Sequence, residues 1–152
     1  MEFKNFDEFN NNAIKLLLYY KDLLAKKNET EQVIFLREAI NKHMLRSFIK
    51  IATLTNEIQT LLNSNNKNLK LSLDNYLKNK IMHPEVTNAD YIKIPKIVNK
   101  PSKTHKSKNG YDVILFKEDE KYYKLVIKTT VNKNENFVKS LHLLNYSRYI
   151  KY

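Results

Sequence analysis

Seven side chains near the C-terminus are of the types that phosphate chemistry uses: Lys124, Lys128, Thr130, Ser140, His142, Tyr146 and Arg148. Lysine and arginine neutralise anionic oxygen, hydroxyls donate to it, and imidazole exchanges a proton near neutral pH. They act together only if one surface collects them, and strand alternation supplies the rule. In YYKLVIKTTV (122–131), Tyr123, Leu125, Ile127, Thr129 and Val131 share one side and read as core. Tyr122, Lys124, Val126, Lys128 and Thr130 take the other. In FVKSLHLL (137–144), Phe137, Leu141 and Leu143 point one way, with Lys139 interrupting them. Val138, Ser140, His142 and Leu144 point the other way, and that parity continues to Tyr146 and Arg148. Pairing the two runs gathers all seven on one sheet face, which suits a phosphate-bearing substrate and makes a poor core. An ordinary solvated sheet face has the same composition and is the competing reading.

The elements that must hold these residues follow from pattern. YDVILF (111–116), the turn KEDEK, the 122–131 run, the turn NKNEN and the 137–144 run read as a β-meander. Upstream, residues 6–27 form an amphipathic helix with the stripe Phe6, Phe9, Ala13, Leu16, Tyr20 and Leu23. After KKNET, Asn28 and Glu31 have capping-box spacing. A longer helix is predicted from Glu31 to Leu62, on the stripe Val33, Leu36, Ile40, Met44, Ile51, Leu54, Ile58 and Leu61. Two such stripes make an antiparallel helical hairpin or the seam of a homodimer. His43 reads as a surface helix residue.

NSNNKN (63–68) reads as a linker, so the predicted division is a helical arm over 1–66 and an α+β domain over 67–152. Ser72 can cap a short helix, LDNYLKNKI. In HPEVTNADYIKIPKIVNKP (83–101), Thr87 or Asn88 can cap a helix, and Pro95 and Pro101 divide the stretch into two short turns. KTHKSKNG (103–110) is a basic loop or ragged first strand.

Composition narrows the function classes. The chain has 152 residues, 28% of them charged, and a formal net charge of +11. Residues 1–80 carry +4 of that and residues 81–152 carry +7. A basic C-terminal half is the footprint of a polyanion binder, with nucleic acid ahead of a membrane surface. No cysteine is present, which excludes disulfides and thiolate metal sites, and one glycine leaves no phosphate-cradling loop. The histidines lack metal-ligand spacing, so no metal or other cofactor is expected. With no signal-peptide pattern and no apolar run of spanning length, the expected location is the cytoplasm.

The run HPEVTNADYIKIPKIVNKP, followed by lysines and then YDVILFKEDEKYYKLVIKTT and FVKSLHLL, resembles the phage-associated nucleases of the barnase–EndoU–colicin–RelE (BECR) fold class. The resemblance covers residues 83–152. It implies short helices and a small curved antiparallel β-sheet, which with the N-terminal helical hairpin read from periodicity gives an α+β fold. It also implies a metal-independent RNA endonuclease of toxin or phage-effector type, with RNA as partner and an inhibitor or immunity protein as a further one. Such enzymes drive the 2′-hydroxyl onto the adjacent phosphorus and leave a 2′,3′-cyclic phosphate. On that reading His142 is the first choice for acid–base work, and His83 falls on the family's recurring histidine. Lys124 and Lys128 neutralise the phosphate, Arg148 offers a bidentate fork, and Thr130 and Ser140 hydrogen-bond the scissile group. Tyr91, Tyr122 and Tyr146 are candidates for stacking on bases, and His105 and Lys106 for contacting RNA from the basic loop. The alternative is a non-catalytic nucleic-acid-binding or protein-interaction protein of phage or mobile-element origin.

Overall fold

The protein, seen as a computed structural model, is described over residues 1–43 and 47–152, the side chain of His43 excepted. The elements are β1 (Glu2–Phe3), α1 (Phe6–Tyr19), α2 (Lys21–Leu24), α3 (Glu29–His43), β2 (Phe48–Thr53), α4 (Asn56–Leu62), β3 (Asn68–Ser72) and α5 (Leu73–Met82). They continue with α6 (Asn88–Ile92), α7 (Ile94–Asn99), β4 (Lys103–Lys106), β5 (Asp112–Asp119), β6 (Lys121–Thr129), β7 (Asn136–Leu144) and α8 (Tyr146–Tyr149). The strands form a seven-stranded open sheet in the order β1-β2-β3-β7-β6-β5-β4. The β1/β2 and β3/β7 pairs are parallel, and β7, β6, β5 and β4 run antiparallel to one another.

The α+β class therefore stands, but two parts of the expected fold do not. The sheet is mixed and larger than a small curved antiparallel one, and a hairpin of two long helices is not formed. The long helix predicted to Leu62 gives way to α3, β2 and α4. Ile51, Leu54 and Ile58 continue a helical spacing by coincidence, whereas FIKIAT is rich in β-branched residues, which suit a pleated surface. Met44, part of that stripe, lies outside the described residues.

Contacts divide the chain into two interleaved units, Met1–Lys50 with Leu71–Pro84, and Ile51–Lys70 with Glu85–Tyr152. In the first, Asn5 caps α1 by accepting from the Glu8 N–H at 2.9 Å, with Asp7 and Glu8 favourably placed in the first turn. Asn28 and Glu31 exchange reciprocal bonds of 2.9 and 3.1 Å at the start of α3. Phe9 from α1 meets Tyr76 from α5 with ring centroids 5.1 Å apart, and the Tyr76 hydroxyl donates to Asn10 at 2.6 Å. That bond satisfies a phenol that burial would otherwise strand.

In the second unit the expected linker is packed structure. The Asn65 N–H donates to the Lys133 carbonyl at 2.8 Å, and the Asn136 side chain donates to the Asn66 and Asn68 carbonyls at 2.6 and 3.1 Å. Side-chain amides here substitute for regular secondary structure, so a polar run that reads as solvated is tied to the β6–β7 turn. One sheet face is apolar: Val113, Leu115, Tyr123, Leu125, Ile127, Val138 and Leu141 are buried, and α7 packs on β5. Burial of such side chains stabilises by about 1.5–3 kcal/mol each, which fixes this side as the core. Val131, predicted to belong to it, is 81% exposed because β6 ends at Thr129.

Candidate nucleic-acid interface

The opposite face of β4–β7 can be read row by row, because directly paired residues project to the same side. One row is Lys103, Phe116, Lys124 and His142, each paired with the next across β4, β5, β6 and β7. The next is His105, Ile114, Val126 and Ser140. Lys128 pairs with Asp112 on one side and Phe137 on the other. Lys124, Lys128, Ser140 and His142 thus share a face, all of them half-buried.

Strict alternation places these four but not the start of β7. The ladder slips between Val126 and Ile127: Val126 pairs with Ser140 but Ile127 pairs with Val138, leaving Lys139 without an opposite residue. This is a β-bulge, with one extra residue in β7. It returns Val138 to the core face and puts Phe137 on the polar one, reversing both expectations. It also re-aims Lys139, whose ammonium reaches the Asp112 carboxylate at 2.9 Å from two strands away. Lys139, Asp112 and Lys103 are charged residues of this face that pattern reading missed. The available signal was that neither parity of β7 is apolar throughout.

Beyond Leu144 the strand ends, and Asn145 caps α8 by accepting from the Arg148 N–H at 2.9 Å. Tyr146 and Arg148 are consequently exposed residues of a short helix and not of a strand face. Tyr149 is buried with Phe116 and Leu144, and Tyr152 stacks on Phe116 with centroids 4.4 Å apart. The Lys124 ammonium stands 5.2 Å from the Tyr152 ring and that of Lys103 stands 4.4 Å from Tyr149. The C-terminal segment therefore covers the end of the face around Phe116, Tyr122 and Leu144 and reaches Lys124.

The remaining predicted residues fall elsewhere. Thr130 lies in the β6–β7 turn, where its hydroxyl donates to Asn132 at 2.6 Å and accepts from the Glu135 N–H at 3.2 Å. That hydroxyl closes the turn and is not offered to a phosphate. Tyr91 is 1% exposed, so it is core and presents no ring face to a base. Tyr122 is half-buried among Tyr146 and Tyr149. His105 and Lys106 are exposed on β4, and as consecutive strand residues they point to opposite sides. His83 follows α5 and belongs to the first unit, whereas His142 belongs to the second.

The motif run around Thr87 has a structural explanation. Thr87 and Asp90 form a capping box on α6, and the Asp90 carboxylate also accepts from the Tyr123 hydroxyl at 2.6 Å and from Lys121 at 3.1 Å. Burial alone pushes this carboxyl up. The bonds from Tyr123, the Thr87 N–H, Lys121 and the Thr87 hydroxyl outweigh it and hold Asp90 below the usual carboxylate range. Burial and the same bond raise the Tyr123 phenol.

Among the described residues no group of three or more His, Asp or Glu side chains is placed to hold a metal ion, and no helix is long and apolar enough to cross a membrane. Compared with protein-family models, curated proteins and solved structures, the chain finds no match.

Proposed function

We propose that the β4–β7 face binds RNA and cleaves it without a metal ion, by attack of a 2′-hydroxyl on the adjacent phosphorus. The 2′-oxygen–phosphorus bond forms as the bond to the 5′-oxygen breaks. A base takes the 2′-hydroxyl proton and an acid returns one to the leaving oxygen, so a 2′,3′-cyclic phosphate and a 5′-hydroxyl result. The observation that carries this reading is the direct cross-strand pairing of Lys124 with His142. It sets an imidazole beside a cation that stabilises phosphoryl charge, with Ser140 two residues away on the same side. The net charge of the C-terminal half supports it as well.

Binding without cleavage is the second reading, and one observation favours it. His105 shares the face but lies three strand spacings from Ser140, roughly 14 Å at about 4.8 Å each, too far for two imidazoles to serve one phosphate. The test is incubation of the purified full chain with total RNA in EDTA, followed by analysis of the new ends. Cyclic phosphate from the wild type and none from His142→Ala is the expected result. Intact RNA at protein excess, with retained salt-sensitive binding, selects the second reading.

A further inference from the structure

We infer that Lys139 and Lys128 form a second phosphate subsite on this face, with Asp112 as the internal anion that holds Lys139 until RNA takes over. The inference rests on the proposal that the face binds RNA. Its observations are separate from those at His142. The bulge gives β7 one residue with no ladder partner, and that residue is a lysine. Its ammonium is carried across β6 to Asp112, whose side chain is 11% exposed while that of Lys139 is 52% exposed. The same Asp112 oxygen accepts from the Asn109 side chain at 3.3 Å, which steadies the carboxylate from the β4–β5 turn. Lys128 is paired with Asp112 in the ladder yet makes no ion pair or hydrogen bond among the described residues.

Both lysines are thus neighbours of one carboxylate, Lys139 through an ion pair and Lys128 through ladder pairing. A phosphate entering between Lys128 and Lys139 gains both cations, and the half-exposed Lys139 can swing to it from Asp112. Position separates this subsite from the one at Lys124. Four residues along β6 span about 13 Å at roughly 3.3 Å each, so the Lys128 group addresses a different phosphate of the same strand. Bulges recur beside functional sites, where they re-aim a side chain.

The experiment measures fluorescence anisotropy of a labelled single-stranded oligouridylate with the full chain over a range of salt concentrations. Each phosphate contact contributes about 0.7 to the slope of log affinity against log salt for single strands. Lys139→Met and Lys128→Met are expected each to weaken binding by about threefold to tenfold and to lower the slope by about one contact. Lys139→Arg should restore most of the loss. Asp112→Asn should tighten binding at low salt, because it removes the competing anion. Circular dichroism melting of each variant shows whether it remains folded, and Lys128→Met carries the test if Lys139→Met does not. Wild-type binding with an unchanged slope in Lys139→Met overturns the subsite alone and leaves the RNA reading standing. No salt-sensitive binding by the wild type overturns both.

Discussion

Two lysine–aspartate pairs in the second unit look alike on paper and differ in what they do. Lys121 meets Asp90 at 3.1 Å and Lys139 meets Asp112 at 2.9 Å. Asp90, however, is almost wholly enclosed and carries further bonds from Tyr123 and from the Thr87 backbone and hydroxyl. It ties a helix cap to the central strand β6. Asp112 sits at the rim of the polar face and its lysine partner is half in water. Distance alone does not distinguish an anchor from a tether; the number of bonds each carboxylate must replace when its partner leaves does.

The comparison can be broken most forcefully at Asp90. Asp90→Ala strands the Tyr123 hydroxyl inside the core and removes the α6 cap, with an expected loss of about 2–4 kcal/mol in urea unfolding. A loss no greater than that of an exposed pair would erase the distinction. Acid sharpens it. Because the folded Asp90 carboxyl lies below its ordinary value, its stabilising contribution is complete above about pH 4 and is lost as pH falls through the lowered folded value. The margin of wild type over Asp90→Ala should therefore be flat between about pH 5 and 7 and narrow below about pH 4. Tyr123→Phe comes next, at about 1–2 kcal/mol, since it deletes one bond to a charged acceptor without opening a cavity. Smallest of all, Lys139→Met should change stability by at most about 0.5 kcal/mol, because half-exposed ion pairs contribute little in water. A drop as large as that at Asp90 would make Lys139 a structural residue.

What could be read from residues alone divides along the same line. The runs 111–116, 122–131 and 137–144 alternate over enough positions to declare themselves as strands, and β5, β6 and β7 follow them closely. Thr87 announces its helix by spacing, and the structure supplies its box with Asp90. Strand β2 was hidden because Phe48–Thr53 is apolar at both periods, and short apolar runs carry no decisive period. Strand β1 is too short to alternate visibly, and β3 alternates as NLKLS but begins inside the polar run that reads as a linker. At the candidate site, the sidedness of Lys124, Lys128, Ser140 and His142 was legible, since these lie on regular ladder on either side of the slip. The sidedness of Phe137, Val138 and Lys139 was not, because a bulge is a property of two strands together. Tyr91 and Thr130 show a further limit: residue type suggests a contact with RNA, while burial and turn bonding decide otherwise.

The interleaving of the two units has a practical consequence for dissecting the protein. A fragment beginning at residue 67 would carry every strand of the β4–β7 face and still lack Ile58 and Leu62, which are buried in the same unit, together with the backbone bond from Asn65 to Lys133. Such a truncation would expose apolar surface and loosen the hairpin it was meant to isolate. Minimal pieces of this chain have to be cut by spatial neighbourhood, with residues 51–70 retained or covalently rejoined.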